Sequence, residues 1–385
     1  MIHTKSYLTY ILDLKLQNRY RTLPKVFAKK TPDDFLDFSS NDYLQFSKFP
    51  PILKASFACA EQYGLGSTGS RLLSGHNVLF DLFEQEIAQC KKTDKALLFN
   101  SGFQANISVL SALLDQKHFN KKPLVFFDKF NHKSLYEAVK LSGAMLIRYA
   151  HNDMSHLNIL LKKYAEQDNP KFIVSESLYG MDGDVVNLES LIILAKQHSA
   201  LLYLDEAHAT GVLGEKGYGL STRFNLKDVE HVIMGTFSKA LGGAGAYVAC
   251  SEIVYQYLMN TCSGFIYSTA SSPMMIGAMM KAWALLPHFQ SKVIKMLELA
   301  NYLRVELKKL RFETGDSQTH IVPIIFSCSE QALKLKNKLA KNNIFVSFVQ
   351  YPTVPKNQPR IRIALNIYHD KKNIDKLLSI LFQEV

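Results

Sequence analysis

Hydrophobic and polar positions alternate with two different periods along this chain. Between Lys95 and Cys250, short runs rich in β-branched and aromatic residues are separated by segments in which apolar residues recur every three or four positions. The runs predict strands at Ala96–Phe99, Leu124–Asp128, Met145–Tyr149, Phe172–Glu176, Leu201–Asp205, His231–Met234 and Ala246–Cys250. The intervening segments predict helices at Gln104–Leu114, Lys133–Leu141, Leu157–Ala165 and Leu188–His198. Strands alternating with helices imply a largely parallel α/β sheet covered on both faces. Several of the strands are apolar throughout, as strands buried on both sides must be.

After about Leu285 the pattern changes. A long helix (Lys292–Leu310), a strand (Thr319–Phe326), a helix (Gln331–Lys341), two strands (Phe345–Val349 and Arg360–Leu365) and a last helix (Ile374–Phe382) form an α+β unit. A chain of 385 residues is long for one core, so the expected division is a large α/β domain over 46–285 and a small domain over 286–385. Residues 1–45 are expected to pack with the small domain. Near the start, Tyr7, Tyr10, Ile11 and Leu14 fall at helical spacing, which reads as an amphipathic helix and not a signal peptide. No run approaches the roughly 18 apolar residues needed to cross a bilayer. A cytoplasmic location without membrane association is the expectation.

Composition narrows the function classes. Hydrophobic residues make up 47% and charged residues 21%, ordinary for a globular protein. The five cysteines, Cys59, Cys90, Cys250, Cys262 and Cys328, form no CxxC pair and are odd in number, which argues for small buried hydrophobes over disulfides or a metal site. The net charge of +11 is spread over scattered lysine pairs such as Lys121–Lys122 and Lys308–Lys309. With no basic cluster and no nucleic-acid motif, the charge reads as a basic solvated surface or one that meets an anionic substrate or acidic partner.

Four clusters carry candidate chemistry, three of them just after predicted strands, where open α/β sheets bind ligands. Asn100-Ser101-Gly102-Phe103 opens a helix whose backbone N–H groups suit a phosphate, although such turns are also common as plain structure. Asp205-Glu206-Ala207-His208 ends an apolar strand; Asp205 there can hold a protonated heteroaromatic nitrogen or simply cap a helix. Thr236-Phe237-Ser238-Lys239 follows another strand and leads into Gly242, Gly243 and Gly245. Its lysine can form a Schiff base and act as a base when burial lowers its pKa, or be an ordinary loop lysine. Asp128 to His132 places an imidazole where it can stack on a flat ring or cap a helix. Metal ligation has no suitably spaced partners. Together the four supply what a pyridoxal 5′-phosphate (PLP) site needs, and Lys239 lies 34 residues after Asp205.

These residues resemble the α-oxoamine synthase family, PLP-dependent transferases of fold type I, over nearly the whole chain. The likeness rests on Asn41-Asp-Tyr-Leu, Gly66-Ser-Thr-Gly-Ser-Arg71-Leu-Leu-Ser-Gly75, Ser101-Gly-Phe-x-Ala-Asn106, Met181-Asp-Gly-Asp184, Asp205-Glu-Ala-His-x-Thr-Gly211 and Thr236-Phe-Ser-Lys239, in the family's order. Arg148-Tyr-Ala-His-Asn-Asp153-x-x-His156 and Pro352-Thr-Val-Pro355 with Arg360-Ile-Arg362 are most similar to the branch that joins L-alanine to a pimeloyl thioester in biotin biosynthesis.

The resemblance implies a mainly parallel large domain and an α+β small domain, with PLP as cofactor. It implies that Lys239 carries PLP and serves as the base, that Asp205 pairs with the pyridine nitrogen, that His132 stacks on the ring, and that His208 contacts the phenolic oxygen. Gly102, Phe103 and Thr236 would hold the phosphate, with Ser268 and Thr269 lent by a partner subunit in a homodimer with shared active sites. Asn41, Thr353 and Arg362 would contact substrate, together with His132 and an N-terminal arginine, Arg21 or Arg19. An acyl-carrier protein is a conceivable acyl donor, as is coenzyme A. Two departures stand out: Gly180 replaces a serine common before Met-Asp-Gly, and Gln350-Tyr351 replaces Arg-Pro before Pro-Thr-Val-Pro. Other readings of the same residues are a family member with another acyl donor, and an aminotransferase of the same fold.

Overall fold

The computed structural model describes residues 2–17, 19–23 and 35–382. Helix α1 (Ile2–Leu16) and a two-residue strand β1 (Leu36–Asp37) precede α2 (Pro50–Tyr63) and α3 (Val78–Lys91). The central alternation then runs β2 (Lys95–Phe99), α4 (Gly102–Leu113), β3 (Leu124–Asp128), α5 (Lys133–Ser142), β4 (Met145–Tyr149), α6 (Met154–Lys163), β5 (Lys171–Glu176), α7 (Leu188–Gln197), β6 (Leu201–Asp205), β7 (His231–Thr236) and β8 (Ala246–Cys250). Helices α8 (Glu252–Thr261), α9 (Ser263–Ile266), α10 (Pro273–Leu285) and α11 (Gln290–Lys309) lead to β9 (Ile321–Ile325), α12 (Ser329–Lys341), β10 (Ile344–Phe345), β11 (Ser347–Val349), β12 (Arg360–Ala364) and α13 (Lys371–Leu381).

Local chemistry fixes many of these boundaries. Side chains of Asn77, Ser101, Asp153, Asn187 and Ser251 each accept a first-turn N–H of the helix they precede, and Asp370 with Asn373 closes a reciprocal capping pair on α13. Seven strands form one sheet in the order β2-β8-β7-β6-β5-β3-β4. Strand β8 runs antiparallel to both β2 and β7, and the other neighbours are parallel. The C-terminal ends of β2, β3, β4, β5, β6 and β7 therefore share one edge. Apolar side chains fill both faces of this sheet, and β3 and β8 are buried along their full length. A second, antiparallel sheet has the order β11-β12-β9. Strand β1 pairs in parallel with β10, and Phe38 continues the link by accepting from Ala364 N–H at 2.8 Å.

All seven strands of the central alternation stand within two residues of their predicted ends. Three expectations need correction. Helix α1 forms, yet Tyr7, Tyr10 and Ile11 stay exposed on it, so the apolar residues expected to be its buried face are not covered by the described residues of this chain. Residues 50–91 carry two helices, of which α2 packs along α10; neither was anticipated. Of the five cysteines expected to be buried, only Cys250 and Cys262 are; Cys59 and Cys90 are half-buried and Cys328 is exposed, while all five are free thiols, as the absence of a disulfide pattern implied. No described helix is long and apolar enough to cross a membrane.

Candidate active site

The shared edge of these strands assembles the predicted cluster. Asp205, the last residue of β6, is 4% exposed. Its Oδ1 accepts the Ala207 N–H at 2.8 Å and its Oδ2 accepts Asn106 Nδ2 at 2.8 Å. Asn106 sits one turn into α4, also donates to Ser134 Oγ at 2.9 Å, and accepts the Tyr203 hydroxyl at 2.9 Å. Ser134 in turn lies 2.8 Å from His132 Nδ1. A single amide thus fixes the Asp205 carboxylate and, through Ser134, the His132 ring. His132 also caps α5, which is one of the two roles open to it in the sequence.

Lys239 follows β7 by three residues. Burial pushes its pKa down to about 8, against the carboxylates of Asp205 and Glu176, which hold it up. Its amine makes no hydrogen bond or ion pair among the described residues. Glu176, the residue paired with Asp205 across β5 and β6, accepts the His132 N–H. Burial first, and the Asp205 charge second, raise its pKa well above the carboxylate range. His132 is pushed down by burial and by Lys239, partly offset by Asp205.

The phosphate turn is also in place. The first-turn N–H groups of a helix lack intrahelical partners, and Ser101 Oγ takes only that of Gln104. The N–H groups of Gly102 and Phe103 have no partner among the described residues at the start of α4. Thr236 Oγ1 lies 2.9 Å from Ser238 Oγ and 3.0 Å from the Gly245 carbonyl. Ser268 Oγ is 2.9 Å from Gln104 Nε2, and Asn100 Nδ2 donates to the Thr269 carbonyl at 2.8 Å. Both residues therefore border this turn within their own chain.

Opposite the sheet edge, β12 delivers Arg362. Its Nε donates to the Gly180 carbonyl, and its Nη2 to Asn41 Oδ1 at 3.0 Å and to Tyr43 Oη at 3.1 Å. Nη1 is left without a partner among the described residues, which suits a carboxylate. Arg360, two residues earlier and wholly buried, pairs with Asp182. Thr319 Oγ1 donates to the Gly183 carbonyl at 2.9 Å. A Cβ on Gly183, whose φ is +74°, would run into the Ile321 carbonyl, so only glycine lets the 180–184 turn sit so close to β9. Thr353 lies exposed in the loop between β11 and β12. Arg19 stacks on Tyr351 of that loop, 4.8 Å from the ring centre, whereas Arg21 is exposed and makes no hydrogen bond or ion pair with a described residue.

The residues present fit PLP. An unpaired buried amine, a carboxylate held by an amide, a helix start with open N–H groups and a flanking imidazole match the aldehyde, pyridine nitrogen, phosphate and ring of that cofactor. Three groups that take part were not singled out from sequence. Glu176 and Tyr43 escaped because their partners are remote in the chain. The place of Asn106 was visible only as the polar residue one turn after the phosphate glycine.

Residues 33–381 match the family model described as aminotransferase class I and II. A relative from Gluconacetobacter diazotrophicus named 8-amino-7-oxononanoate synthase is 43% identical over 92% of this chain and 89% of its own length. A crystal structure of 8-amino-7-oxononanoate synthase from Francisella tularensis superposes with TM-score 0.79 at 28% identity, covering 91% of this chain and 98% of that one. A serine palmitoyltransferase from S. paucimobilis, solved with PLP and myriocin bound, shares the fold with TM-score 0.88 at 22% identity, over 98% and 96% of the two chains. The chain belongs to the aminotransferase class I and II family of PLP-dependent enzymes, and within it to the 8-amino-7-oxononanoate synthase branch.

Proposed function

We propose that this PLP-dependent enzyme joins L-alanine to a pimeloyl thioester, releasing CO2 and the free thiol and yielding 8-amino-7-oxononanoate for biotin biosynthesis. The observation that carries the reading is Arg362, supported by Asn41, standing with an open Nη1 beside the cluster of Lys239, Asp205 and His208. The guanidinium takes the carboxylate of the amino acid and so orients its Cα. When bound, PLP supplies the electron sink that lets that Cα act as a nucleophile. Lys239 Nζ, lowered to about 8 by burial, takes the Cα proton and returns one later. Asp205, fixed by Asn106, would keep the pyridine nitrogen of bound PLP protonated, and His132 and His208 would flank it. In the overall reaction the Cα–acyl bond forms as the C–S bond breaks, and the thiolate leaves and takes up a proton. The Cα–carboxylate bond then breaks, with the new ketone accepting the electrons.

Likeness to the named relatives supports pimeloyl as the acyl group. The net charge of +11 suits an anionic carrier, whether coenzyme A or acyl-carrier protein. Arg19 or Arg21, with Thr353, is assigned to the acyl side. Phe57 on α2, Phe103 in the first turn of α4, and Leu65, Leu73 and Tyr267 in the segments around the Ser70–Thr269 bridge are exposed apolar side chains. They form the face we assign to a homodimer, while Ser268 and Thr269 border the Asn100–Gln104 turn of their own chain. The test is thiol release from pimeloyl thioesters with L-alanine, beside glycine with acetyl-CoA and serine with palmitoyl-CoA. The alanine–pimeloyl pair should be preferred at least tenfold in kcat/KM. A preference for either other pair sinks the assignment of substrates while leaving the cofactor site standing.

A further inference from the structure

We infer that Tyr43 is a positioning residue that sets the tautomer of His208 and ties it to the carboxylate-binding Arg362. Tyr43 is wholly buried, and its hydroxyl lies 2.8 Å from His208 Nδ1. On its other side it receives a hydrogen bond from Arg362 Nη2 at 3.1 Å. A guanidinium can only donate, so the phenolic oxygen acts as acceptor there and its own proton is free to go elsewhere. Two acceptors are in reach, His208 Nδ1 at 2.8 Å and Asn41 Oδ1 at 3.1 Å. The latter already takes the second Nη2 proton of Arg362 at 3.0 Å. The shorter contact and the unoccupied acceptor are both His208. Nδ1 therefore accepts, and the ring proton of the neutral imidazole resides on Nε2.

Two further features hold that arrangement. His320, wholly buried, presses edge-on against the Tyr43 ring with centres 4.0 Å apart, so the phenol cannot swing away. Around His208, burial acts first, and then the charges of Lys239 and Arg362 and the rings of His320 and His132, to keep its pKa well below that of a free histidine. The imidazole stays neutral, and a neutral ring has one donor whose place its partner decides. Opposite Tyr43, a Cβ at Gly180 would collide with His208 Nε2. The glycine that stands where the family pattern has serine thus makes room for the edge of the ring that carries the proton. Nε2 itself has no hydrogen-bond partner among the described residues, and so is left as a free donor.

The inference holds whichever acyl donor the enzyme uses, and it can be read without substrate. In the apoprotein with 15N-labelled histidine, the His208 signals, identified by their loss in His208→Gln, should show the Nε2–H tautomer. Tyr43→Phe should lower the ratio of Nε2–H to Nδ1–H by about 2- to 10-fold, the range a single neutral hydrogen bond controls. It should also shift the pH midpoint of the visible band of the PLP-loaded protein. Gly180→Ala, which forces the ring off Tyr43, should produce the same tautomer change with Tyr43 intact, and serves if Tyr43→Phe does not fold. An Nδ1–H tautomer in the wild type, or a ratio unchanged in either folded variant, overturns the assignment.

Discussion

Replacing His151 with leucine is expected to destabilise the protein by about 3–5 kcal/mol at pH 7, the cost of breaking a buried ion pair by removing one partner. His151 follows β4 and bridges two strand-edge carboxylates, Asp128 Oδ1 at 2.9 Å and Asp184 Oδ2 at 3.0 Å. Those two side chains are 0% and 3% exposed, and His151 is 16% exposed. Burial alone lowers the pKa of this imidazole, but the two carboxylates outweigh it and raise it to about 10. It is therefore a cation at neutral pH, sandwiched by Phe130 and the edge of Tyr179. For 385 residues an unfolding entropy of about 0.8 kcal/mol per kelvin is expected, so a loss of 4 kcal/mol lowers Tm by roughly 5 °C. The pH dependence carries a second signature. A histidine whose pKa is higher folded than unfolded stabilises fully below pH 6.5, its unperturbed value, and loses that contribution as pH rises to about 10. At 1.36 kcal/mol per pH unit the separation is worth about 5 kcal/mol. Melts of the matched apoproteins should show the gap between wild type and His151→Leu narrowing steadily from pH 7 to pH 10. A gap below 1 °C at pH 7, or one that stays constant across that range, refutes the charged bridge.

Asn106→Ala removes the donor to Asp205 and the link to Ser134. With bonds to a charged group worth about 1.5–3 kcal/mol, PLP affinity measured by fluorescence titration should weaken about 10- to 100-fold, and a change below twofold contradicts the role given to this amide. Because only the neutral amine of Lys239 can attack an aldehyde, the rate at which apoprotein captures PLP should climb with pH and reach half its plateau near pH 8. A stopped-flow profile flat between pH 6.5 and 9.5 speaks against a lysine lowered by burial.

The strands of the central sheet were legible because each is a continuous apolar run closed by polar residues, and burial on both faces demands that composition. Lys239, Asp205, His132 and His208 were legible for the same reason, since each follows such a run by a few positions. What escaped depends on remote partners. Helix α10, PMMIGAMMKAWAL, is apolar on nearly every side because it packs along α2, so it shows no helical period. The segment from Arg148 to His156 could be matched as a motif, but nothing local says that His151 bridges Asp128 and Asp184, 23 and 33 residues away. Tyr43 meets His208 across 165 positions, a distance over which no periodicity speaks.

A common electrostatic logic ties these groups together. A buried charge is tolerated when a partner of opposite sign offsets its desolvation. Along the strand edge that condition is met by Lys91 with Glu206, Arg360 with Asp182, Arg71 with Glu84, and His151 with its two aspartates. Each of these groupings joins segments that are distinct in the chain. Glu206 is the instructive case, because it adjoins Asp205 but turns away to Lys91 and to the Ser221 N–H at 2.7 Å, which leaves Asp205 alone to face the cofactor side. Lys239 is the exception, since its amine has carboxylates near it and no ion pair with either. The energetic consequence is the lowered pKa of about 8, and the chemical consequence is an amine neutral in roughly a tenth of molecules at neutral pH, against well under a hundredth for an ordinary lysine. The paired charges hold the frame still, and the unpaired one is left able to react.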